Sequence, residues 1–383
     1  MHYLVSTAGH PNVGDELIAR TWLRELRRRA PDSDVWLDCP FPSGAQALLA
    51  GEHPRLRCVD TLWRLCWEAP GGTPWDTATS VHAALDDAAR APRWVPGLRL
   101  FARAATVHLL GGGYVHDLWP RHVGLLAAVA HAAGRGAATA VTGQGFAPMA
   151  AATAGLVQRL CAGLDVVDVR DRPSAALVGR PDACSGDDLW LADVAALLDP
   201  ARAAELDVAV CVQADMLDAD DGALTTACLR HLDAWAADPA RTAVVEGMPG
   251  DRAVHDRLAG LLPGLRRVPW TDLLDRGVPA GPHQRWFSTR FHPHLVAAAA
   301  GARGVAVPAH PGYYDVKHAS LLAAGSPWAV RGPGAPGVAR LDAPADPARL
   351  LASGERVLAR KGEIATALYG PVREVADLSS TRG

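Results

Sequence analysis

The chain alternates short apolar runs with longer stretches in which apolar positions recur at helical spacing. The first run, His2 to Thr7, predicts a strand, and the turn-rich loop Ala8-Gly9-His10-Pro11-Asn12-Val13-Gly14-Asp15 follows it. From Glu16 to Ala30, Leu17, Ile18, Trp22, Leu23 and Leu26 fall on one helical face and arginines on the other. Strand, glycine loop and helix is the arrangement that turns free backbone N–H groups towards a ligand. Asp15 and Glu16 at the helix start also suit its dipole, so capping alone accounts for them equally well. Val35 to Asp38 predicts a second strand. Thr106 to Leu110, Ala137 to Thr142 and Asp165 to Val169 predict buried ones. Those three run into Gly111-Gly112-Gly113-Tyr114, Gly143-Gln144-Gly145-Phe146-Ala147-Pro148 and Arg170-Asp171-Arg172-Pro173-Ser174, with helical patterns at Leu125 to Ala133 and Ala151 to Ala162 between them. This β-α-β rhythm predicts a parallel, doubly wound α/β sheet. Pro40 to Arg99, which holds Trp63, Trp67, Trp75 and Trp94, follows no such pattern.

Around Ser185 to Leu197, which contains Asp187 and Asp188, the chain leaves this first unit, and the rhythm resumes with a strand at Asp207 to Val212, a helix near Leu224 to Trp235 and a strand at Thr242 to Glu246. Arg285 to Thr289 is a further extended run. It delivers Arg290 and His292 to a strand end just before Pro293, and proline is tolerated in a first helical turn because its missing N–H would have no partner there. Gly304 to Val307 predicts the next strand, and its loop brings Tyr313, Tyr314, Asp315 and Lys317 to another helix start. Strand ends and helix starts share one edge of an α/β sheet, so both polar groups are expected to face one crevice. Gly332 to Pro347 reads as a connector and Ala348 to Tyr369 as a closing helix. The division expected is 1–200, 201–345, and a closing helix and tail at 346–383.

Composition sharpens this picture. The 383 residues suffice for two cores, and the formal charge of -3 argues against a nucleic-acid partner. No run is long and apolar enough for a membrane span or a signal peptide, which predicts a cytoplasmic protein. Seven scattered cysteines without a Cys-x-x-Cys pair predict reduced thiols. The fifteen histidines include no ligand-spaced pair on a helix face, so no metal site is expected. Neither G-x-G-x-x-G nor G-x-x-x-x-G-K-[ST] is present, which lowers dinucleotide and P-loop readings. Of 38 basic residues only Lys317 and Lys361 are lysines. An ammonium kept in the Lys317 loop suits a phosphate or carboxylate contact. Lys361, in what reads as an ordinary charged helix, stands for the chance alternative.

Taken in order, Asn12-Val13-Gly14-Asp15-Glu16, Gly111-Gly112-Gly113 with Asp117, Gly143-Gln144-Gly145-Phe146-Ala147-Pro148, Val169-Arg170-Asp171 with Ser174, Ser288-Thr289-Arg290-Phe291-His292-Pro293, and Tyr314 with Lys317 resemble the polysaccharide pyruvyl transferase family. The resemblance implies two Rossmann-like domains arranged as in GT-B glycosyltransferases, with the active site in the cleft between an acceptor-side first domain and a donor-side second one. It implies phosphoenolpyruvate as donor, a sugar of a glycan or glycolipid as acceptor, and no cofactor. Forming a pyruvate ketal needs an acid/base group and several cations. His292 is expected as the acid/base group, since imidazole titrates near working pH, although a capping or core histidine is the plain alternative. Arg290, Arg170 and Lys317 are expected to hold the donor's phosphate and carboxylate, with Asp171 orienting Arg170. Asp15 stands as a second base or a helix cap. Asn12, Gly14, Gly112, Gly113, Gln144, Gly145, Ser288 and Tyr314 complete the implied substrate-binding positions, with Gly14, Gly112 and Gly145 expected to let backbone amides approach ligands.

His294 and Asp188 are expected to be structural. A lipid-linked acceptor would bring peripheral contact at the inner membrane face, with Trp63 and Trp67 as candidate contacts. A nucleotide-sugar glycosyltransferase and a non-catalytic glycan-binding protein of the same fold stand as alternatives. The acceptor sugar and the oligomeric state are not legible.

Overall fold

The computed structural model describes residues 1–216, 221–310, 312–341 and 343–372. Strands β1 (His2–Val5), β2 (Val35–Asp38), β3 (Leu56–Val59), β4 (Thr106–Leu109), β5 (Ala138–Gln144) and β6 (Val166–Val169) form one parallel sheet in the order β3-β2-β1-β4-β5-β6. Strands β7 (Val208–Cys211), β8 (Thr242–Val245), β9 (Arg266–Val268), β10 (Arg285–Ser288), β11 (Arg303–Ala306) and β12 (Ala329–Val330) form a second, in the order β12-β11-β10-β7-β8-β9. The two windings are the same. Strands β4, β7 and β8 are buried at every position, as expected of parallel strands covered by helices on both faces.

In each sheet the order reverses at one place, between β1 and β4 in the first and between β7 and β10 in the second. The loops leaving these strands diverge there and open a crevice at the carboxyl ends. The two crevices face each other. Their loops touch, with the Val13 amide donating to the Gly247 carbonyl at 2.9 Å and the Tyr313 hydroxyl to the Gly113 carbonyl at 2.6 Å.

Residues 40–99 are built differently from their unpatterned sequence. They supply edge strand β3 and the helices Pro42–Leu48, Thr61–Glu68, Pro74–Asp86 and Val95–Phe101. Most of these are too short for helical spacing to register. Strands β9 and β12 also went unread, because the first exposes two arginines and the second has two residues. The closing helix Ala348–Tyr369 returns to the first sheet, where Tyr369 meets His108 Nδ1 at 2.6 Å. Lys361, read as one residue of an ordinary charged helix, is fully buried there, with Nζ 2.5 Å from Asp168 Oδ2 and 2.7 Å from Asp188 Oδ1. Both lysines of the chain are therefore interior. The tail beyond Val372 lies outside the described residues.

Candidate functional site

A cavity of about 330 Å³ lies where the two crevices meet, and it is lined from both halves of the chain. Asn12, Gly14 and Asp15 follow β1, Gly113 follows β4 and Arg170 follows β6. Arg290 and His292 follow β10, and Tyr314 and Lys317 follow β11. Nine of the thirteen positions expected from the sequence thus share one wall. The other four stand behind it. Gln144 is buried and donates to the Leu110 carbonyl; the Ser288 hydroxyl pins the turn at Arg290, accepting from its amide at 3.2 Å. Gly112, at φ +146°, and Gly145 are joined backbone to backbone at 2.8 Å.

The glycines serve side chains as much as backbone. A Cβ on Gly14 would overlap the His292 ring, one on Gly145 would overlap the Arg170 guanidinium, and one on Gly247 would overlap the Arg290 side chain. On Gly113 it would stand 2.9 Å from Lys317 Nζ. Each of these four side chains therefore lies against a residue that has no side chain to displace it. Approach of a ligand to the backbone, the expected purpose of these glycines, is not what fills that space at Gly14 and Gly145.

His292 opens the helix Phe291–Ala299 and is mostly buried. Its Nε2 lies 3.4 Å from Asp187 Oδ1 but forms no hydrogen bond among the described residues, and Asp187 Oδ2 is equally buried and unpartnered. Burial alone would raise the Asp187 carboxyl; His292 and Arg170 more than offset it and hold the group at about 2. Asp187 was not singled out as a site residue. It sits in a short acidic turn far from any motif, and only the fold brings it to His292.

The Asp15 carboxyl is pushed up by burial, against the opposing pull of His292 and Lys317. The helix cap is Asn12, whose side chain accepts from the Gly14 amide at 3.2 Å, so Asp15 is left facing the cavity. Glu16 is fully buried and ties down the preceding loop by accepting from the Gly9 amide at 2.7 Å. Lys317 Nζ sits 3.5 Å from the Tyr313 ring centroid and 4.8 Å from that of Tyr314, with no carboxylate at ion-pair distance among the described residues. Burial and the neighbouring Arg170 push its ammonium well below the usual lysine range. Arg170 packs over Phe291 at 4.9 Å and reaches Asp171 at 3.4 Å.

Arg290 differs from expectation. Its Nε meets Asp251 Oδ2 at 2.7 Å, and one terminal nitrogen meets Asp251 Oδ1 at 2.6 Å and Asp215 at 2.9 Å. Asp251 also accepts from the Ala214 and Gly247 amides, so the pair ties together the loops after β7, β8 and β10. The guanidinium reaches the cavity with its charge largely compensated. Arg290, expected to hold the donor's phosphate and carboxylate, thus lines the cavity already paired, and Lys317 and Arg170 are the less compensated cations.

Aromatic residues from the unpatterned segment form the facing wall: Phe41, Trp63 and Trp67, joined by Tyr114, Trp119 and His122. Trp63 is fully buried, its indole donating to the Ser6 carbonyl at 3.0 Å, which removes it as a membrane contact. His294 and Asp188 are interior, as expected. His294 pairs with His318 at 3.0 Å, and Asp188 accepts from Trp22, Thr142 and the Gly111 amide.

Two Rossmann-type sheets with a cavity between their carboxyl ends define a two-domain α/β protein of the GT-B kind. Solved structures share this fold. Medicago truncatula UGT71G1 complexed with UDP-glucose aligns at 10% identity over 96% of this chain and 98% of its own, with TM-score 0.53. A putative UDP-N-acetylglucosamine 2-epimerase from Listeria monocytogenes aligns at 10% identity over 98% and 92%, with TM-score 0.50. The UDP-GlcNAc 2-epimerase from Neisseria meningitidis bound to UDP-GlcNAc does so at 10% over 97% and 95%, also at 0.50. Curated protein sequences give no match. The model of the polysaccharide pyruvyl transferase family matches residues 12–221, more than half of the chain, and the chain belongs to that family of transferases. Arg290, His292 and Lys317 lie beyond the matched residues, in the second half of the chain, and share the cavity with Asn12 to Asp15 and Arg170.

Proposed function

We propose that this chain transfers the pyruvyl group of phosphoenolpyruvate to two hydroxyls of one sugar in a glycan or glycolipid, forming a pyruvate ketal and releasing phosphate. The observation that carries this reading is the meeting of Lys317, Arg170 and His292 in one cavity, each seated on a glycine or an aromatic ring, with Arg170 drawn from the first half of the chain and the other two from the second. Family membership supports the same reading.

The donor's phosphate and carboxylate would lie against Lys317, which has no carboxylate at ion-pair distance among the described residues, and Arg170, whose contact with Asp171 is long at 3.4 Å. His292 would protonate the enol methylene, leaving an electron-poor carbon that the first sugar hydroxyl attacks. Asp15, with its raised proton affinity, would take that hydroxyl's proton. The C–O bond to phosphate then breaks with its electron pair, and the second hydroxyl closes the ring, its proton leaving with phosphate. The balance needs neither oxidant nor reductant. Asp187 would hold the imidazole from behind, and the unpartnered Nε2 and Oδ2 would close into a full hydrogen bond once substrate orders the site, since catalytic contacts commonly tighten on binding.

Phosphate release from phosphoenolpyruvate tests the reading, assayed with a mixture of methyl hexopyranosides as acceptors. Acceptor-dependent release by the wild type, absent from His292→Ala, is expected. Release that is independent of acceptor, or unchanged in the variant, would contradict it.

A further inference from the structure

The cavity has two unlike walls, one charged and one ringed. Trp67 stands at the rim, 36% exposed. From it the rings follow one another inward: Trp63 at 5.6 Å between centroids, then His122 at 4.8 Å, Trp119 stacked on His122 at 5.8 Å, and Tyr313 at 6.1 Å from Trp119. Lys317 lies over Tyr313 at the inner end. Burial pushes His122 down to about 4, and its Nδ1 is engaged by the Tyr114 carbonyl at 2.8 Å, so the imidazole adds no charge to the track at neutral pH; the Arg64 guanidinium lies over Trp67 at 5.2 Å, which leaves the opposite side of that indole for a ligand.

A small, fully ionised donor matches the cations and leaves such a wall unused. The ligand that matches the rings carries an extended apolar face together with hydroxyls at its edge, able to reach Asp15 and His292. A pyranose ring is that shape: C–H bonds gather on one face and hydroxyls project around it. Aromatic rings hold such a face at little entropic cost. The volume of about 330 Å³ is at the low end for a small-molecule site, so beside the donor there is room for a single sugar ring.

We propose that the aromatic track from Trp67 to Trp119 is the acceptor subsite. It holds the terminal hexopyranose of the acceptor by one C–H face, with Trp67 as the specificity-determining residue at the rim. This deepens the pyruvyl-transfer reading and rests on it in assigning the cationic wall to the donor.

Saturation-transfer NMR tests it with methyl β-glucopyranoside, methyl β-galactopyranoside and methyl α-mannopyranoside, alongside calorimetry of phosphoenolpyruvate. At least one glycoside is expected to receive saturation on the C–H bonds of one ring face. Trp67→Ala should weaken that glycoside up to about tenfold, Trp67→Phe should recover most of it, and the donor's Kd should stay within about twofold in both. Trp67 is partly exposed, so its loss should leave folding intact; Trp119→Ala gives a second, inner position with the same expected direction. Saturation of none of the three glycosides, equal saturation of both faces, or glycoside binding unchanged in Trp67→Ala would overturn the assignment. One-faced, Trp67-dependent glycoside binding by a protein that ignores phosphoenolpyruvate would uphold the subsite and sink the donor reading instead.

Discussion

Gly14 occupies the first turn of a helix, where alanine would ordinarily be the better residue, yet its missing side chain is the space the His292 ring fills. Stability and activity are therefore expected to separate there. Gly14→Ala should keep the far-UV circular dichroism and thermal midpoint of the wild type while losing turnover on the order of 100-fold, the scale of a displaced acid/base group. A variant with normal turnover would show that His292 need not sit where it does. Asp187→Asn should lower kcat by a similar factor, because Asp187 faces the imidazole; it should leave the KM for phosphoenolpyruvate unchanged or lower, because it also removes a negative charge that acts on Arg170 and Lys317; steady-state kinetics separates the two.

Lys317 yields a prediction about protons. Burial and Arg170 depress its proton affinity in the free protein, so part of the population is neutral at alkaline pH. A bound phosphate restores the ammonium. Donor binding should therefore take up protons as pH rises above the depressed value, read as a dependence of calorimetric enthalpy on buffer ionisation heat, and Lys317→Ala should abolish that dependence. The rarity of lysine in the chain drew notice to Lys317, which the fold places on the cavity. Lys361 was not, because its partners Asp168 and Asp188 lie in segments that only the tertiary fold brings beneath the helix.

At the scale of elements, the closing helix Ala348–Tyr369 is fastened to the first sheet by that buried pair. Removing the ammonium leaves two buried carboxylates uncompensated. Lys361→Met should lower unfolding free energy by about 3–5 kcal/mol, measured by urea denaturation, since breaking a buried ion pair from one side is costly even when the intact pair adds little net stability. The strands β1, β2, β4, β5, β6, β7, β8, β10 and β11 were readable because a buried parallel strand is a largely apolar run with a turn signal at its end. Residues 40–99 were not, because their helices are short. One signal there was available: Thr73 and Asp76 form a capping box, Thr73 Oγ1 accepting from the Asp76 amide at 3.1 Å and Asp76 from the Thr73 amide at 3.2 Å. The aromatic wall was hidden with that segment. Tryptophans there could be counted, but not aimed.

At the scale of the whole molecule, two copies of one winding are set crevice to crevice. The family motifs read along the chain become, in space, one wall with cations on both sides of the join. Sequence could place residues at strand ends; it could not say which charges would arrive already paired. Arg290 is the clearest instance. Its motif position suggested a cation for the donor's anionic groups, and Asp251 and Asp215, from two other strand ends, compensate it. Lys317 and Arg170 are consequently the residues whose loss should be felt by an anionic donor, whereas loss of Arg290 should first loosen the loops after β7 and β8.

Calorimetric titration of the protein with phosphoenolpyruvate, with UDP as the control ligand, bears most directly on the central claim that this cavity is a pyruvyl-donor site. The account predicts saturable donor binding that is lost in both Lys317→Ala and Arg170→Ala, with no response to UDP. Saturable binding of UDP with silence towards phosphoenolpyruvate would contradict it and give the cavity to a nucleotide sugar.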